Sequence, residues 1–360
     1  MTISIFFSSI ILFSAWLLTV LALPYVRRAG LRYGAIDNPS SRKQHTTPIV
    51  RLGGVAMIIG LFFAWFLFGI IGKENNLDPL NNHFVLVIIL GSLTFFLIGL
   101  ADDFFKISPF FRLGLQAIAS FFVSTQGLGI KALDLSFISP DLSIIVLPSV
   151  FSTLLTVIWF TGITNSINWL DGLDGLAAGF AVIAFGFFHY LSSSNLHEAF
   201  SFLVSALIGS SLGFLTQNSY PARILMGDSG SYLLGFNLAA LSILGFTSNI
   251  SYPFNSYSSF NIIIPTLIMI VPAFDMVLVI LLRLSNGRSP FYPDRSHLHH
   301  RILNLGFSHQ QTVFFAYLLS LLFGFIAFIL SEKNIELNSV AVFSFSLLLF
   351  STIIIRKIIR

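Results

Sequence analysis

"NSINWLDGLDGLAAG", residues 165–179, follows directly on the apolar run from Val150 to Ile163 and sets two Asn, two Asp and three Gly within fifteen residues. Polar groups at the edge of a lipid phase are costly unless they are paired or used. The stretch therefore marks either a capped chain reversal or a working site, and the rest of the chain decides which.

The chain has 360 residues, 55% of them hydrophobic and only 9% charged, against about 25% charged in soluble domains. This composition is that of an all-α polytopic membrane protein, organised as a single integral membrane domain over residues 1–360. A spanning helix needs about 20 mostly apolar residues, and such runs fall near 3–23, 53–72, 84–101, 110–128, 144–163, 173–191, 198–217, 229–248, 259–283, 311–330 and 338–356. That is about 11 transmembrane helices by the same length criterion. With no Cys in the chain, disulfides and thiolate metal sites are excluded, so any metal must be held by oxygen or imidazole.

The first run has no basic segment before it and is followed by Arg27, Arg28 and Arg32. It reads as an uncleaved span with the N-terminus outside, which puts the C-terminus in the cytoplasm. On this topology only Lys73, Lys131 and Lys333 of the 19 Lys and Arg residues lie outside, as the positive-inside rule requires. The outer segments 73–83, 129–143, 192–197, 249–258 and 331–337 carry no chemistry. The unusual residues collect on the cytoplasmic side, in the segments 24–52, 101–112, 164–175, 218–231 and 284–310.

Within the opening stretch Asn165, Asn168, Asp171 and Asp174 recur every third residue. Helix neighbours at i and i+3 share a face, so the spacing predicts a polar stripe on one helix; capping accounts for one such residue, not four. "LADDFFKISPFFR" (100–112) ends a span with Asp102 and Asp103, with Lys106 and Arg112 able to neutralise them. Adjacent helical residues point different ways, which suits two separate tasks. "PARILMGDSGS" (221–231) sets Asp228 between Gly227 and Gly230 at the start of an apolar run, where helix N–H groups favour phosphate. Mg²⁺ is commonly held by one or two carboxylates together with substrate phosphates. Asp228 and Asp103 are both expected to serve charge and metal more than packing.

"NGRSPFYPDRSHLHHR" (286–301) offers Asp294, Arg295, His297, His299, His300 and Arg301. His297 and His300 lack the i, i+4 spacing of a helical zinc pair, and imidazoles beside guanidiniums suit anionic oxygens. "SRKQHTTPIVRLGG" (41–54) adds Arg42, Lys43, His45 and Arg51, a cluster that topology alone can explain. Carboxylates and amides for a divalent cation, glycine-framed helix ends and a basic loop on one face together describe phosphoryl chemistry. The donor would be a cytosolic polyanion and the acceptor a lipid.

"LADD", "NSINWLDGLDGLAAG", "MGDSGS" and "DRSHLHHR", in that order, resemble the polyprenyl-phosphate N-acetylhexosamine-1-phosphate transferases, related to phospho-N-acetylmuramoyl-pentapeptide transferase. The similarity runs from about Arg42 to Arg301. It implies that UDP-N-acetylhexosamine and a polyprenyl phosphate lipid such as undecaprenyl phosphate react to give the lipid diphosphate sugar and UMP, in the inner (plasma) membrane with the site on the cytoplasmic face. It further implies Mg²⁺ as cofactor, with Mn²⁺ able to substitute, held by Asn168 and Asp228. Asp102, Asp103, Asp171 and Asp174 then match the catalytic acids. Lys43, Asn165, His297, His299, His300 and Arg301 match substrate-binding positions. GlcNAc is the expected sugar, because the basic loop lacks the three consecutive His of the muramoyl-pentapeptide branch, and the product would enter a cell-surface glycan such as O-antigen or a teichoic-acid linkage. No nucleic acid partner is expected, and a homodimer is compatible with the resemblance. The rival from another class is an ion-coupled transporter with intramembrane carboxylates and broken helices; acids at one face instead of the midplane, and no inverted repeat, count against it. A second alternative is the same chemistry with another UDP-N-acetylhexose.

Overall fold

The computed structural model describes residues 2–37, 48–74, 82–135, 144–192, 197–247, 260–292 and 294–331. Lys43 and the apolar run 338–356 lie outside the described residues. Helices account for nearly all of the rest: α1 (Thr2–Tyr33), α2 (Gly53–Glu74), α3 (His83–Phe105), α4 (Pro109–Thr125), α5 (Ser149–Leu170), α6 (Leu176–Leu191), α7 (His197–Asn218), α8 (Gly227–Phe246), α9 (Ile263–Ile268), α10 (Ile270–Ser285), α11 (Leu298–Asn304) and α12 (His309–Ser331). Two short antiparallel ribbons complete the fold, β1 (Ile36–Asp37) with β2 (Ile49–Val50), and β3 (Ala132–Asp134) with β4 (Ile144–Val146).

Seven helices among the described residues are long and apolar enough to cross a membrane: α1, α2, α3, α5, α7, α8 and α12. The chain is thus a multi-pass membrane protein, and the difference from about eleven spans has physical causes. Helices α4 and α6, at 17 and 16 residues, are at the short limit of a crossing. The run 259–283 is divided at Met269 into α9 and α10, where Pro272 offers no N–H to the Ile268 carbonyl.

Helix α8 is the axis of the bundle and is buried along its length, packed by α2, α3, α5 and α6. Buried polar side chains tie it in place. Ser92 Oγ of α3 donates to Asn237 Oδ1 at 3.0 Å, and Trp159 Nε1 of α5 donates to Ser242 Oγ at 2.9 Å. Outward faces carry large apolar side chains, including Val150, Phe151, Leu154 and Ile158 on α5 and Phe111, Ile118, Phe121 and Phe122 on α4. An apolar surface of that extent belongs against lipid. The C-terminal ends of α3 and α5 and the N-terminal ends of α2, α4 and α8 meet at one end of the bundle, as the hydrogen bonds below establish.

Candidate active site

The predicted polar stripe at 165–174 is not one helix. Helix α5 stops at Leu170, Asp171 occupies its C-cap, and the chain turns before α6 begins at Leu176. The turn closes through Gly175 at φ +80°, a left-handed conformation open to glycine and strained for other residues. Asn165, Asn168 and the C-cap Asp171 follow one another along the end of α5; Asp174 projects from the turn beyond it.

Asp228 sits in the first turn of α8, after Gly227 at φ +75°. Its Oδ1 accepts from Asn168 Nδ2 at 2.7 Å, and its Oδ2 accepts from Arg51 Nη2 at 3.2 Å. Asn168 also donates to Ser231 Oγ at 2.9 Å. Arg112 Nη1 lies 2.7 Å from Asp102 Oδ2 and 4.0 Å from Asp228 Oδ2. Arg51 reaches Asp103 as well, Nε to Oδ1 at 3.1 Å. Topology alone could account for Arg51 in the sequence; in the structure it is a central member of the site. Burial opposes its positive charge, but the carboxylates of Asp228 and Asp103 hold its pKa above the ordinary arginine value.

Asp103 departs from expectation. Its side chain is fully buried and saturated with donors: the backbone N–H groups of Asp228 at 2.8 Å and Ser229 at 3.0 Å, and Arg51. It supplies from α3 the N-terminal cap that α8 lacks, since Met226 at the N-cap provides no side-chain acceptor. Of the acidic pair, Asp103 thus caps α8 and holds Arg51, a structural duty that the sequence reading did not foresee, while Asp102 faces Arg112 and Asp228. Lys106 does not neutralise the pair. It is exposed and closes α3 in a left-handed conformation.

Asp171 has a carboxylate that accepts no hydrogen bond among the described residues. Burial pushes its pKa well above the carboxylate range, and the nearby charge of Asp228 adds to the rise. Asp174 is placed differently: its Oδ2 accepts from Ala222 N at 2.9 Å, and it borders a cavity of about 230 Å³ with Ser219, Tyr220, His309 and Tyr317. Asn165 points elsewhere, donating to Gln116 Oε1 at 2.6 Å and to Thr161 O at 2.8 Å. Its amide braces α5 on α4 and is not among the acids.

The basic stretch forms a second cluster beside the turn. His299 is buried, lies against Gly172, and leaves its Nδ1 without a partner among the described residues. Burial, with the neighbouring His300 and His297, pushes its pKa down to about 3. Burial also lowers His300. Arg301 Nε donates to Ser296 O at 2.6 Å. His297 is engaged inside the protein, its Nδ1 2.9 Å from Asp275 Oδ2. Two residues here escaped the motif reading. Asp275 is a lone acid in the apolar helix α10, and Arg283 at its end pairs with Asp294 through Nη2 at 2.9 Å and Nε at 3.2 Å. That pairing holds Asp294 well below the carboxylate range. A charge inside an otherwise apolar run was the available signal.

Asp102, Asp103, Asp171 and Asp228 set four carboxylates against the two guanidiniums of Arg51 and Arg112. Carboxylate and amide oxygens are hard donors that fit Mg²⁺, and a bound cation would favour the ionised form of Asp171, which burial opposes. Among the described residues no three His, Asp or Glu side chains are gathered to hold a metal unaided. The donor set thus fits an ion completed by substrate oxygens, with Asp228, Asn168 and Asp171 as the protein's contribution.

Apolar helices ending around carboxylates, guanidiniums and a histidine loop define a multi-pass membrane protein whose site is fitted to a polyanion. A sequence profile described as Glycosyl transferase family 4 matches residues 85–246. The chain is 34% identical over 337 residues to the probable undecaprenyl-phosphate N-acetylglucosaminyl 1-phosphate transferase of Bacillus subtilis (strain 168), covering 93% of this chain and 88% of that protein. It is 34% identical to the decaprenyl-phosphate N-acetylglucosaminephosphotransferase of Mycolicibacterium smegmatis, over 85% of this chain and 77% of the relative. The undecaprenyl-phosphate alpha-N-acetylglucosaminyl 1-phosphate transferase of Escherichia coli (strain K12) is 29% identical over 83% and 77%. The chain belongs to the polyprenyl-phosphate N-acetylhexosamine-1-phosphate transferase family. It is accordingly a membrane transferase, and the transporter alternative falls away.

Proposed function

We propose that the protein transfers GlcNAc-1-phosphate from UDP-GlcNAc to a polyprenyl phosphate, releasing UMP, on the cytoplasmic face of the plasma membrane. The observation that carries this reading is the meeting of Asp102, Asp171, Asp228 and Asn168 with Arg51 and Arg112 at one end of the helix bundle. The printed functions of the relatives supply the sugar and the lipid class.

Mg²⁺, when bound, would neutralise the donor diphosphate and help its phosphorus accept a nucleophile. Asp228 and Asn168 are the residues positioned to hold it, with Asp171 as the unpartnered carboxylate beside them. Arg112, joined to Asp102 and within 4.0 Å of Asp228, is free to exchange a carboxylate for a phosphate oxygen, because a guanidinium fork matches either. Arg51 keeps Asp228 oriented from the other side. The acceptor phosphate already carries an anionic oxygen near neutral pH, so attack on the sugar-linked phosphorus needs alignment and charge screening more than a strong base. His299, His300 and Arg301 lie beside the Asp171 turn, where the donor's sugar and phosphates would rest.

The decisive test is UMP release by purified protein given UDP-GlcNAc and undecaprenyl phosphate, with Mg²⁺ and with EDTA. Release that requires both lipid and Mg²⁺, and that Mn²⁺ restores after chelation, is the expected result. Release unaffected by EDTA would remove the metal. Release only from another UDP-N-acetylhexose would change the sugar.

A further inference from the structure

The basic stretch is anchored by an acid that belongs to none of the motifs. Asp275 is 5% exposed and is flanked in α10 by apolar residues from Ile270 to Leu282. A buried carboxylate in such surroundings persists only where it is fully used. Its Oδ1 accepts the Leu298 N–H at 2.7 Å and its Oδ2 meets His297 Nδ1 at 2.9 Å. One carboxylate thus grips both the first residue of α11 and the residue before it.

The far side of the imidazole is held as well. His297 Nε2 is 3.4 Å from Arg283 Nη2. Arg283 is itself buried, paired with Asp294 and stacked 5.0 Å over the Trp169 ring, whose neighbour in turn is the edge of His297 at 5.4 Å. Trp169 adjoins Asn168, so this chain of contacts connects the histidine loop to the end of α5. Facing a carboxylate at Nδ1 and a guanidinium at Nε2, the imidazole of His297 is arranged to donate from Nδ1 and to accept at Nε2. Neither nitrogen is left for a substrate.

We propose that Asp275 is a positioning residue for the transferase reaction: by fixing the orientation and tautomer of His297 and the start of α11, it places His299, His300 and Arg301 against the Asp171 turn to receive the donor. The proposal deepens the functional reading above and rests on it. His297 is then a joint in the protein and not a substrate ligand. Loss of a charge-assisted hydrogen bond of this kind corresponds to about tenfold to a hundredfold in an equilibrium.

Asp275→Asn preserves size but can accept only one of the two N–H groups, and it is expected to raise KM for UDP-GlcNAc about tenfold while KM for undecaprenyl phosphate stays within about twofold. Asp275→Ala and His297→Ala should fail together, the double variant being no worse than the poorer single one, because the two act as a unit. Histidine ¹⁵N spectra should show the Nδ1–H tautomer of His297 in the parent and a mixture in Asp275→Asn. Unchanged donor KM in Asp275→Asn, additive losses, or an equal rise in both KM values would overturn the positioning role. If the parent protein releases no UMP from UDP-GlcNAc, it is the functional reading that fails. The ¹⁵N spectra still judge the joint, and an unchanged tautomer in Asp275→Asn would refute it without any turnover.

Discussion

Replacing Asp103 by Ala separates a structural acid from a chemical one. The carboxylate satisfies two backbone N–H groups at the start of α8, at 2.8 and 3.0 Å, and one side of Arg51. Loss of an N-terminal cap costs about 1 kcal/mol, and breaking a buried ion pair costs about 3–5 kcal/mol. Arg51 is a quarter exposed and keeps Asp228, so the lower end applies and the total is about 4 kcal/mol. Asp228→Ala differs, because that side chain is 18% exposed and stands among other carboxylates. Its removal gives up contacts to Asn168 and Arg51 but relieves like-charge repulsion, for a net change of about 1 kcal/mol or less. Both variants are expected to lose transfer, yet only Asp103→Ala should unfold early in a thermal ramp or an SDS titration of the detergent-solubilised protein. Equal destabilisation by the two substitutions, or a stable Asp103→Ala, would refute the capping role.

Arg51→Met should lower kcat/KM about a hundredfold, equivalent to about 2.7 kcal/mol of transition-state stabilisation, without inverting the protein, since Arg27, Arg28 and Arg32 remain to set orientation. Accessibility labelling of both faces beside the UMP assay checks it, and full activity would return Arg51 to a topology charge. His299 gives a pH signature. Its folded pKa of about 3 lies below the unfolded value of about 6.5, so protonation favours the unfolded chain. The stability it contributes is complete above pH 6.5 and falls as the pH drops toward 3, with about 2 kcal/mol lost by pH 5. His299→Gln, which cannot titrate, should flatten the decline in thermal midpoint between pH 7.5 and pH 5; parallel curves for the two proteins would contradict the burial of a neutral imidazole.

What the sequence disclosed, and what it withheld, follows from the range of each interaction. Apolar runs are local, and each run from 3–23 to 311–330 contains a helix, because any stretch facing lipid must close its own backbone hydrogen bonds, although 144–146 is strand β4 and 259–283 is divided at Met269. Motif chemistry is nearly as local, so Asp102, Asn168, Asp171 and Asp228 could be nominated together. Partner choice is not local. Asp103 and the N–H it caps are 125 residues apart, and Arg51 meets Asp228 across 177; no periodicity encodes such a pairing. The break after Leu170 was hidden for the same reason. An every-third spacing of Asn and Asp satisfies a helix, while in the structure α5 ends at the Asp171 C-cap and α6 opens at the left-handed Gly175, whose N–H is taken by Asn218 Oδ1 at 2.9 Å and whose carbonyl is taken by Tyr317 Oη at 2.6 Å. That break has a consequence for chemistry. Asp171 still donates its N–H to Ile167 O at 3.2 Å and so stays in step with Asn168, but the chain leaves the helix after it, and its carboxylate accepts no hydrogen bond among the described residues while feeling the charge of Asp228. A half-buried acid without a partner is a cost to the fold, and it is at a site of charge transfer that such a cost returns a function.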